Sequence, residues 1–147
     1  MTTVKNVKEL EKVLQQLQSK INKVQLQNVA PVVKGVMKEK IEEEVYSVYD
    51  PTMYERDREH GGLLDEANME VTMLNETTLS VENIRSDNGR NVAEIVETGE
   101  GYDFEFMYNG IPRPFTEATR EELRNTNEHI HAMYAGLKKQ GINVKIK

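Results

Sequence analysis

The sequence has no cysteine and no tryptophan, and its aromatic residues are limited to six tyrosines and three phenylalanines. The absence of cysteine excludes disulfides, thiolate metal sites and a cysteine nucleophile. No apolar run approaches the length of a membrane span, and no apolar signal core follows the first residues. We therefore expect a protein that is made and used in the cytoplasm, or in particles assembled there.

Basic residues are outnumbered: 19 lysines and arginines face 25 aspartates and glutamates, for a net charge of −6. This balance argues against unaided nucleic-acid binding, because phosphate contacts need a basic surface. It is compatible with a surface along which DNA slides without sticking. The chain has 147 residues, the length of one domain, but only 37% are hydrophobic and 30% are charged. Such a lean core suggests a protomer that gains stability from its neighbours in an assembly.

The first segment has a heptad-like period that predicts an amphipathic helix. Three heptads are marginal for a free coiled coil, so we expect the stripe to pack on the body of the domain rather than form a separate zipper. The apolar positions alternate steps of three and four: Val7, Leu10, Leu14, Leu17, Ile21 and Val24.

The pattern resets at Asn28, where Pro31 predicts a kink or a new helix start with Asn28 as its cap. A second helix is predicted to continue to about Val48, and Asp50-Pro51 ends it. The inner face of this helix is predicted from its valines and larger apolar residues: Val29, Val33, Val36, Met37, Ile41, Val45 and Val48.

Residues 49–66 have no period and are predicted to form an extended arm. Alternation in Met69–Met73, followed by apolar residues from Leu79 to Ile84, predicts a β-hairpin with one buried face. Asn88-Gly89 is a strong turn signal, because both residues tolerate positive φ. Residues 91–98 fit a third strand or a short helix equally well.

The C-terminal third predicts a helix over 114–141, with Thr119 and Glu122 at capping-box spacing and Gly141 at its end. Alternation in 142–147 predicts a terminal strand. The predicted class is therefore α+β: a long N-terminal helix pair, a small antiparallel sheet with an extended arm, a C-terminal helix and a short terminal strand. The single domain divides as 1–48 helical, 49–66 arm, 67–98 sheet, 99–113 loop, 114–141 helix and 142–147 strand.

No set of residues demands chemistry, and we predict no catalytic, cofactor-binding or metal residues. The richest acidic group with a histidine is the set Asp57, Glu59, His60 and Asp65, but its spacing matches no calcium loop or two-histidine motif. A divalent ion there would make the protein a metal-dependent hydrolase, the weakest of the functions considered. A small cytoplasmic regulatory module that binds another protein is the stronger alternative.

Contacts with other subunits are the favoured role of two aromatic segments, because tyrosine anchors interfaces well. The segment 46–64 carries one set, although it could instead fold back on its own sheet. The segment 102–115 carries the other, although it could equally cover one end of the core. The interface residues predicted from both segments are Tyr46, Tyr49, Met53, Tyr54, Phe104, Phe106 and Tyr108.

Several short motifs, in order over roughly residues 28–137, resemble the tail-completion (tail-component) family of long-tailed bacteriophages. The first is the proline break in the N-terminal helix, and the last is a proline–phenylalanine helix start. Asp57 and Glu59 depart from the family, which usually has arginine or lysine there. The motifs that carry the likeness are Asn28–Pro31, Val48–Arg56, Arg58–Leu64 leading into Met69–Met73, Val92–Gly99 and Pro112–Ala118.

The resemblance implies a structural, non-enzymatic protein of the virion, located in the tail or neck and assembled in the host bacterial cytoplasm. It implies a subunit that joins or closes the tail at the head–tail connector. Its expected partners are further copies of itself in a ring of about six, and the adjoining connector, head-closure, tail-tube or terminator proteins. DNA would pass through the lumen without specific binding, and no membrane would be involved.

Overall fold

The computed structural model describes residues 3–51, 56, 58 and 60–145 of the chain and confirms the α+β class. A long N-terminal helical column packs on one side against two C-terminal helices and also contacts a small antiparallel hairpin. The elements are α1 (Val7–Val24), a π-helical turn (Gln25–Val29), α2 (Ala30–Ile41), a second π-helical turn (Glu42–Tyr46), a 3-10 turn (Glu66–Asn68), β1 (Met69–Met73), β2 (Leu79–Asn83), β3 (Ser86–Asp87), β4 (Arg90–Asn91), α3 (Val92–Thr98), α4 (Phe115–Thr126) and α5 (Glu128–Lys139).

The N-terminal column is helical through Pro31, so the predicted cap at Asn28 is wrong. The π-helical turn widens the backbone just before the proline, and the N–H of Ala30 donates to the carbonyl of Gln25, five residues back. Proline lacks an N–H and crowds the preceding turn, and one wide turn relieves both problems without breaking the helix. Asn28 lies in the wide turn, beside Gly136 of α5.

The apolar stripe of α1 is covered only at its C-terminal end. Val24 is 1% exposed, but Leu14 is 53% and Val7 is 70% exposed. The expectation that the whole stripe packs on the domain is therefore wrong for its first half. The stripe runs along the whole of α1, but the body of the domain reaches only the last turn of this helix.

The predicted hairpin is confirmed, with Met69 paired to Asn83 and Met73 paired to Leu79 in antiparallel register. Met69 is buried, and exposed residues alternate with less exposed ones along β1. Asn88 and Gly89, both at positive φ, form the predicted turn, between β3 and β4. Ile84, expected on the buried face, lies just past β2 and is exposed.

The element that remained open between strand and helix is the helix α3. The side chain of Asn91 accepts from the N–H of Glu94 to begin it, and Gly99 ends it in the left-handed conformation. Glu97 of α3 caps α4, because its carboxylate accepts from the N–H groups of Thr116 and Glu117. The capping role predicted for Thr119 is wrong: Thr119 is buried inside α4 and donates to the carbonyl of Phe115.

The C-terminal helix predicted over 114–141 is two helices, separated at Asn127. Asn127 has φ 57°, a left-handed conformation that asparagine adopts more readily than most residues. The bend lets α4 pack on α2 while α5 packs on the end of α1 and the first π-helical turn. Gly141 terminates α5 as expected, but 142–145 form no strand; Val144 lines a cavity with α5 instead.

The core lies where α2, α3, α4 and the hairpin meet. Leu63 and Leu64 belong to it, so the end of the segment predicted as an arm is folded into the domain. Val48, predicted on the inner face of the second helix, is exposed. None of the helices in the described residues has the length and apolar character that a membrane crossing requires. The buried members of the core are Met37, Ile41, Val45, Tyr46, Leu63, Leu64, Met69, Ala93, Val96 and Phe115.

Candidate functional site

Five aromatic rings gather where the loop 99–113 lies against the end of the N-terminal column, and we call them the aromatic cluster. Its members are Tyr49, Tyr102, Phe104, Phe106 and Tyr108. Four of them occupy every second position of the loop, whose backbone bends at 103–104 and turns at 107–110. The fifth, Tyr49, follows the second π-helical turn.

Phe106 is the centre of the aromatic cluster. Its ring centroid lies 4.6 Å from that of Tyr102 and 5.3 Å from that of Tyr49, both in edge-to-face geometry. Phe104 lies 5.1 Å away and Tyr108 6.4 Å away. Such pairs contribute about 0.5–1.5 kcal/mol each beyond their buried area. The hydroxyl of Tyr108 donates to the carbonyl of Val48 at 3.1 Å and joins the loop to the column.

Backbone hydrogen bonds hold the loop against the end of α3. The N–H of Gly110 donates to Gly99 at 2.7 Å, and the N–H of Arg113 donates to Val96 at 3.1 Å. Gly99 has φ 76°, and a Cβ there would lie 2.5 Å from the backbone of Ile111. Only glycine fits this close approach without displacing the loop. The aromatic side chains are therefore carried on a loop with a defined path.

Part of this region faces solvent. Phe104 is 50% exposed, and Met107, Ile111 and Val48 are exposed as well. Several exposed apolar groups in one region are typical of surfaces that bind other molecules. The loop therefore presents a surface that is suited to docking.

The residues predicted for the interface divide into three groups. Tyr49, Phe104, Phe106 and Tyr108 come together in the aromatic cluster, although they were predicted from two separate segments. Tyr46 is 9% exposed and packs in the core, so little of its side chain is open to a partner within this subunit's fold. Met53 and Tyr54 lie outside the described residues.

Arginines complete the site, although they were not among the residues predicted from the sequence. The guanidinium carbon of Arg113 lies 4.8 Å from the ring centroid of Tyr108 and 5.8 Å from that of Phe106. Arg56 lies 4.7 Å from the ring centroid of Tyr46 and donates to the carbonyls of Tyr46 and Tyr49. One signal for Arg113 was available: it stands between two prolines, next to a loop with aromatic residues at every second position.

Electrostatics at Tyr46 follow from its burial. Desolvation raises the pKa of the Tyr46 phenol, and a backbone hydrogen bond from Leu63 and the charges of Arg56 and Arg58 oppose that rise. The phenol is therefore held neutral at ordinary pH, as suits a side chain that packs on the fold.

Of the candidate metal group, Asp57 and Glu59 lie outside the described residues, and His60 and Asp65 lie within them. Asp65 accepts hydrogen bonds from the N–H groups of Ala67 at 2.9 Å and Gly61 at 2.8 Å. These bonds, that of Ala67 first, lower the pKa of the Asp65 carboxyl. Asp65 has a structural task in this turn, which orders the chain before β1.

Comparison with known proteins gives one family and one relative. The family model YomN matches residues 6–139 of the chain. The SPbeta prophage-derived uncharacterized protein YomN of Bacillus subtilis (strain 168) is 33% identical over 141 residues, which cover 94% of this chain and 96% of the relative. No solved structure matches the chain.

Proposed function

The chain belongs to the YomN family, and from that premise we propose that it is a structural subunit of a tailed phage, acting at the head–tail junction. The relative is prophage-derived by name, which supports a phage-associated role. The narrower assignment, a tail-completion or neck subunit in the virion, rests on the resemblance in sequence and on the surfaces of the molecule. In this role the protein works by docking and has no catalytic task.

The observation that carries the proposal is the uncovered stripe on α1. Val7, Leu10, Leu14 and Leu17 are all exposed, although their spacing is that of a seam between two helices. Asn6 caps this helix by accepting from the N–H of Glu9 at 2.9 Å, so the stripe is held in helical form up to its free end. A subunit that functions alone has no use for such a face.

The occupant we propose for this stripe is α1 of a second copy. Steps of three and four place the same kind of residue at the same kind of position on both partners, so the seam is complementary to itself. The tip of the β1–β2 hairpin leaves the seam open, because it contacts α1 through Gln18, which donates to the carbonyl of Glu76 at 2.6 Å. The stripe is short, so we expect further subunit contacts to support it in a ring of about six copies.

A second surface, formed by Phe104, Met107, Ile111 and Val48, is left for a different protein. We propose that it contacts the adjoining connector, head-closure, tail-tube or terminator subunit. The net charge of −6 suits a ring whose lumen passes DNA without retaining it.

Self-association is tested by light scattering coupled to size-exclusion chromatography. We expect the wild-type chain to form an oligomer and the double variant Leu10→Glu, Leu14→Glu to be monomeric with unchanged helical circular dichroism. The matched control is Gln15→Glu with Ser19→Glu, which adds the same charge on the opposite face of α1 and should leave the oligomer intact. A wild-type chain that stays monomeric at about 100 μM, well above a micromolar Kd, contradicts the proposal.

The location is tested in the phage itself. Deletion of the gene should give filled heads and tails that do not join, and a gold label on the protein should mark the neck of intact virions. Infectious particles without the protein, or a label confined to the cell extract, would favour the regulatory protein-binding module instead.

A further inference from the structure

A cavity of about 540 Å³ lies between the aromatic cluster, the β3–β4 hairpin and the end of the N-terminal column. The proposed docking surface shares Phe104 with its lining. Its volume is within the range of small-molecule sites, about 300–1,000 Å³. Among the described residues that line it are four arginines and two carboxylates. The charged lining residues are Arg56, Arg85, Arg90, Arg113, Asp87 and Asp103.

Arg113 is the least expected member of this lining. It is 6% exposed, and a guanidinium stays protonated at any ordinary pH. Buried charges are normally paired, because desolvating them without a partner is unfavourable by several kcal/mol. Within the described residues, however, Arg113 forms no ion pair.

The partners of Arg113 are neutral groups. One terminal nitrogen, Nη2, donates to the hydroxyl of Tyr102 at 2.8 Å, and the other, Nη1, lies 3.5 Å from the carbonyl of Val45. Nε is buried, and no group in the described part of the chain bonds to it. The rings of Phe106 and Tyr108 stabilise the cation but supply no negative charge. The guanidinium is therefore positioned by its surroundings, while the residues that the structure describes provide no counterion for it.

The other side of the cavity adds donors that are closer to solvent. Arg90 pairs with Asp103, and Arg85 donates to the carbonyl of Ser86. Arg90 lies on β4 and Arg85 just before β3, so the Asn88-Gly89 turn between these strands sets where both side chains meet the cavity. Apolar groups line the remainder, among them Val92 and Ile95.

We propose that this cavity is a binding site for an oxyanion, a carboxylate or a phosphate, carried on a small apolar or aromatic body. Guanidinium groups bind both kinds of anion through paired N–H donors. The anion supplies the charge that Arg113 lacks, and Arg85 or Arg90 holds it from the opposite side. The apolar part contacts Tyr102, Phe104 and the side chains of α3. This inference does not depend on the proposed role in the virion.

The test is a titration of the full-length chain, followed by amide chemical shifts in NMR spectra. The probes are inorganic phosphate and benzoate, each compared with sodium chloride at equal ionic strength. We expect saturable shifts that centre on residues 85–96 and 102–113 with at least one probe, and the probe that binds more tightly identifies the anion class. Shifts that chloride reproduces, or that never saturate, overturn the proposal.

Variants localise the binding. Arg85→Gln and Arg90→Gln, at partly exposed positions, should each raise the dissociation constant about tenfold. This is the effect of losing one hydrogen bond to a charged group. Arg124→Gln is the matched control, because it removes the same charge from an exposed position on α4 that does not line the cavity. Arg113→Lys keeps the positive charge but removes the paired N–H donors of the guanidinium group. It should abolish saturable binding while the circular dichroism spectrum stays native. Equal weakening by Arg124→Gln, or unchanged binding in both Arg85→Gln and Arg90→Gln, overturns the proposal.

Discussion

The two ends of α1 belong to one apolar stripe but have opposite surroundings. At the C-terminal end, Val24 is 1% exposed and packs against Gly136 of α5; at the N-terminal end, Val7 is 70% exposed. Both residues are valines at seam positions of the same helix. The difference teaches that periodicity shows where an apolar face lies, while the packing of the rest of the chain decides how much of it is covered.

The buried end depends on a close approach between helices. A Cβ at Gly136 would lie 2.5 Å from Cγ1 of Val24 and 3.0 Å from the side chain of Asn28. The left-handed turn at Asn127 brings α5 to this place, and α5 does not reach the first turns of α1. The free end is therefore left for a partner, and the buried end is part of the fold.

The largest expected difference in stability is between two single variants, each of which places a charge at one end of the stripe. Val24→Asp buries a carboxylate without a partner and should lower the free energy of unfolding by about 3 kcal/mol or more. Leu10→Asp, at the exposed end, should change it by less than about 1 kcal/mol. Urea denaturation of dilute, monomeric protein, followed by circular dichroism, measures both. Equal losses would show that the two ends are covered alike.

A smaller effect should distinguish two helical glycines. Gly136→Ala overpacks the contact with Val24 and should destabilise the fold by about 1–3 kcal/mol. Gly35→Ala meets no atom within 4 Å, lies inside α2, and should stabilise the fold by up to about 1 kcal/mol. Urea denaturation shows whether each variant lowers or raises the free energy of unfolding.

Combining Gly136→Ala with Val24→Ala identifies the contact responsible. Since Val24→Ala removes the methyl groups that the new Cβ would meet, the double variant should lose less stability than the two single changes added together. Strict additivity would mean that Gly136 is needed for another reason.

The smallest effect concerns the cap at the free end. Asn6→Ala removes the acceptor for the N–H of Glu9 and should weaken the first turn of α1 by about 1 kcal/mol. This turn has little contact with the core, so local amide hydrogen exchange should rise while global unfolding is almost unchanged. Ser19→Ala, in the middle of the same helix, is the control. If Asn6→Ala lowered the free energy of global unfolding as much as it weakened the first turn, the free end of α1 would unfold together with the core, contrary to this prediction.

Much of the local structure was predictable from neighbouring residues. Asn88-Gly89 specifies its turn, alternation specifies β1, and the 3.6-residue period specifies the helices. The helix break predicted at Pro31 was wrong for a local reason too. A π-helical turn can accommodate a proline within a helix, and no residue type predicts such a turn. The capping box expected at Thr119 was replaced by Glu97, which lies about twenty residues earlier and could not be identified by spacing.

The candidate site was predictable only in part. Phe104, Phe106 and Tyr108 are close in sequence, but their contact with Tyr49 joins segments more than fifty residues apart. Tyr46 looked as suitable as Tyr49, yet a shift of three residues along the helix end placed it in the core. The position of Arg113 between these rings depends on the path of the whole loop.

The amino-acid sequence by itself determined the helical character of the N-terminal column, the β1–β2 hairpin, the turn at Asn88-Gly89 and the apolar stripe on α1. Each of these depends on residues a few positions apart, whose spacing repeats the geometry of the backbone. Only the tertiary structure decided which half of the stripe is buried, which rings meet and where Arg113 lies among them. These features depend on contacts between distant segments, and such contacts exist only after the elements have packed together.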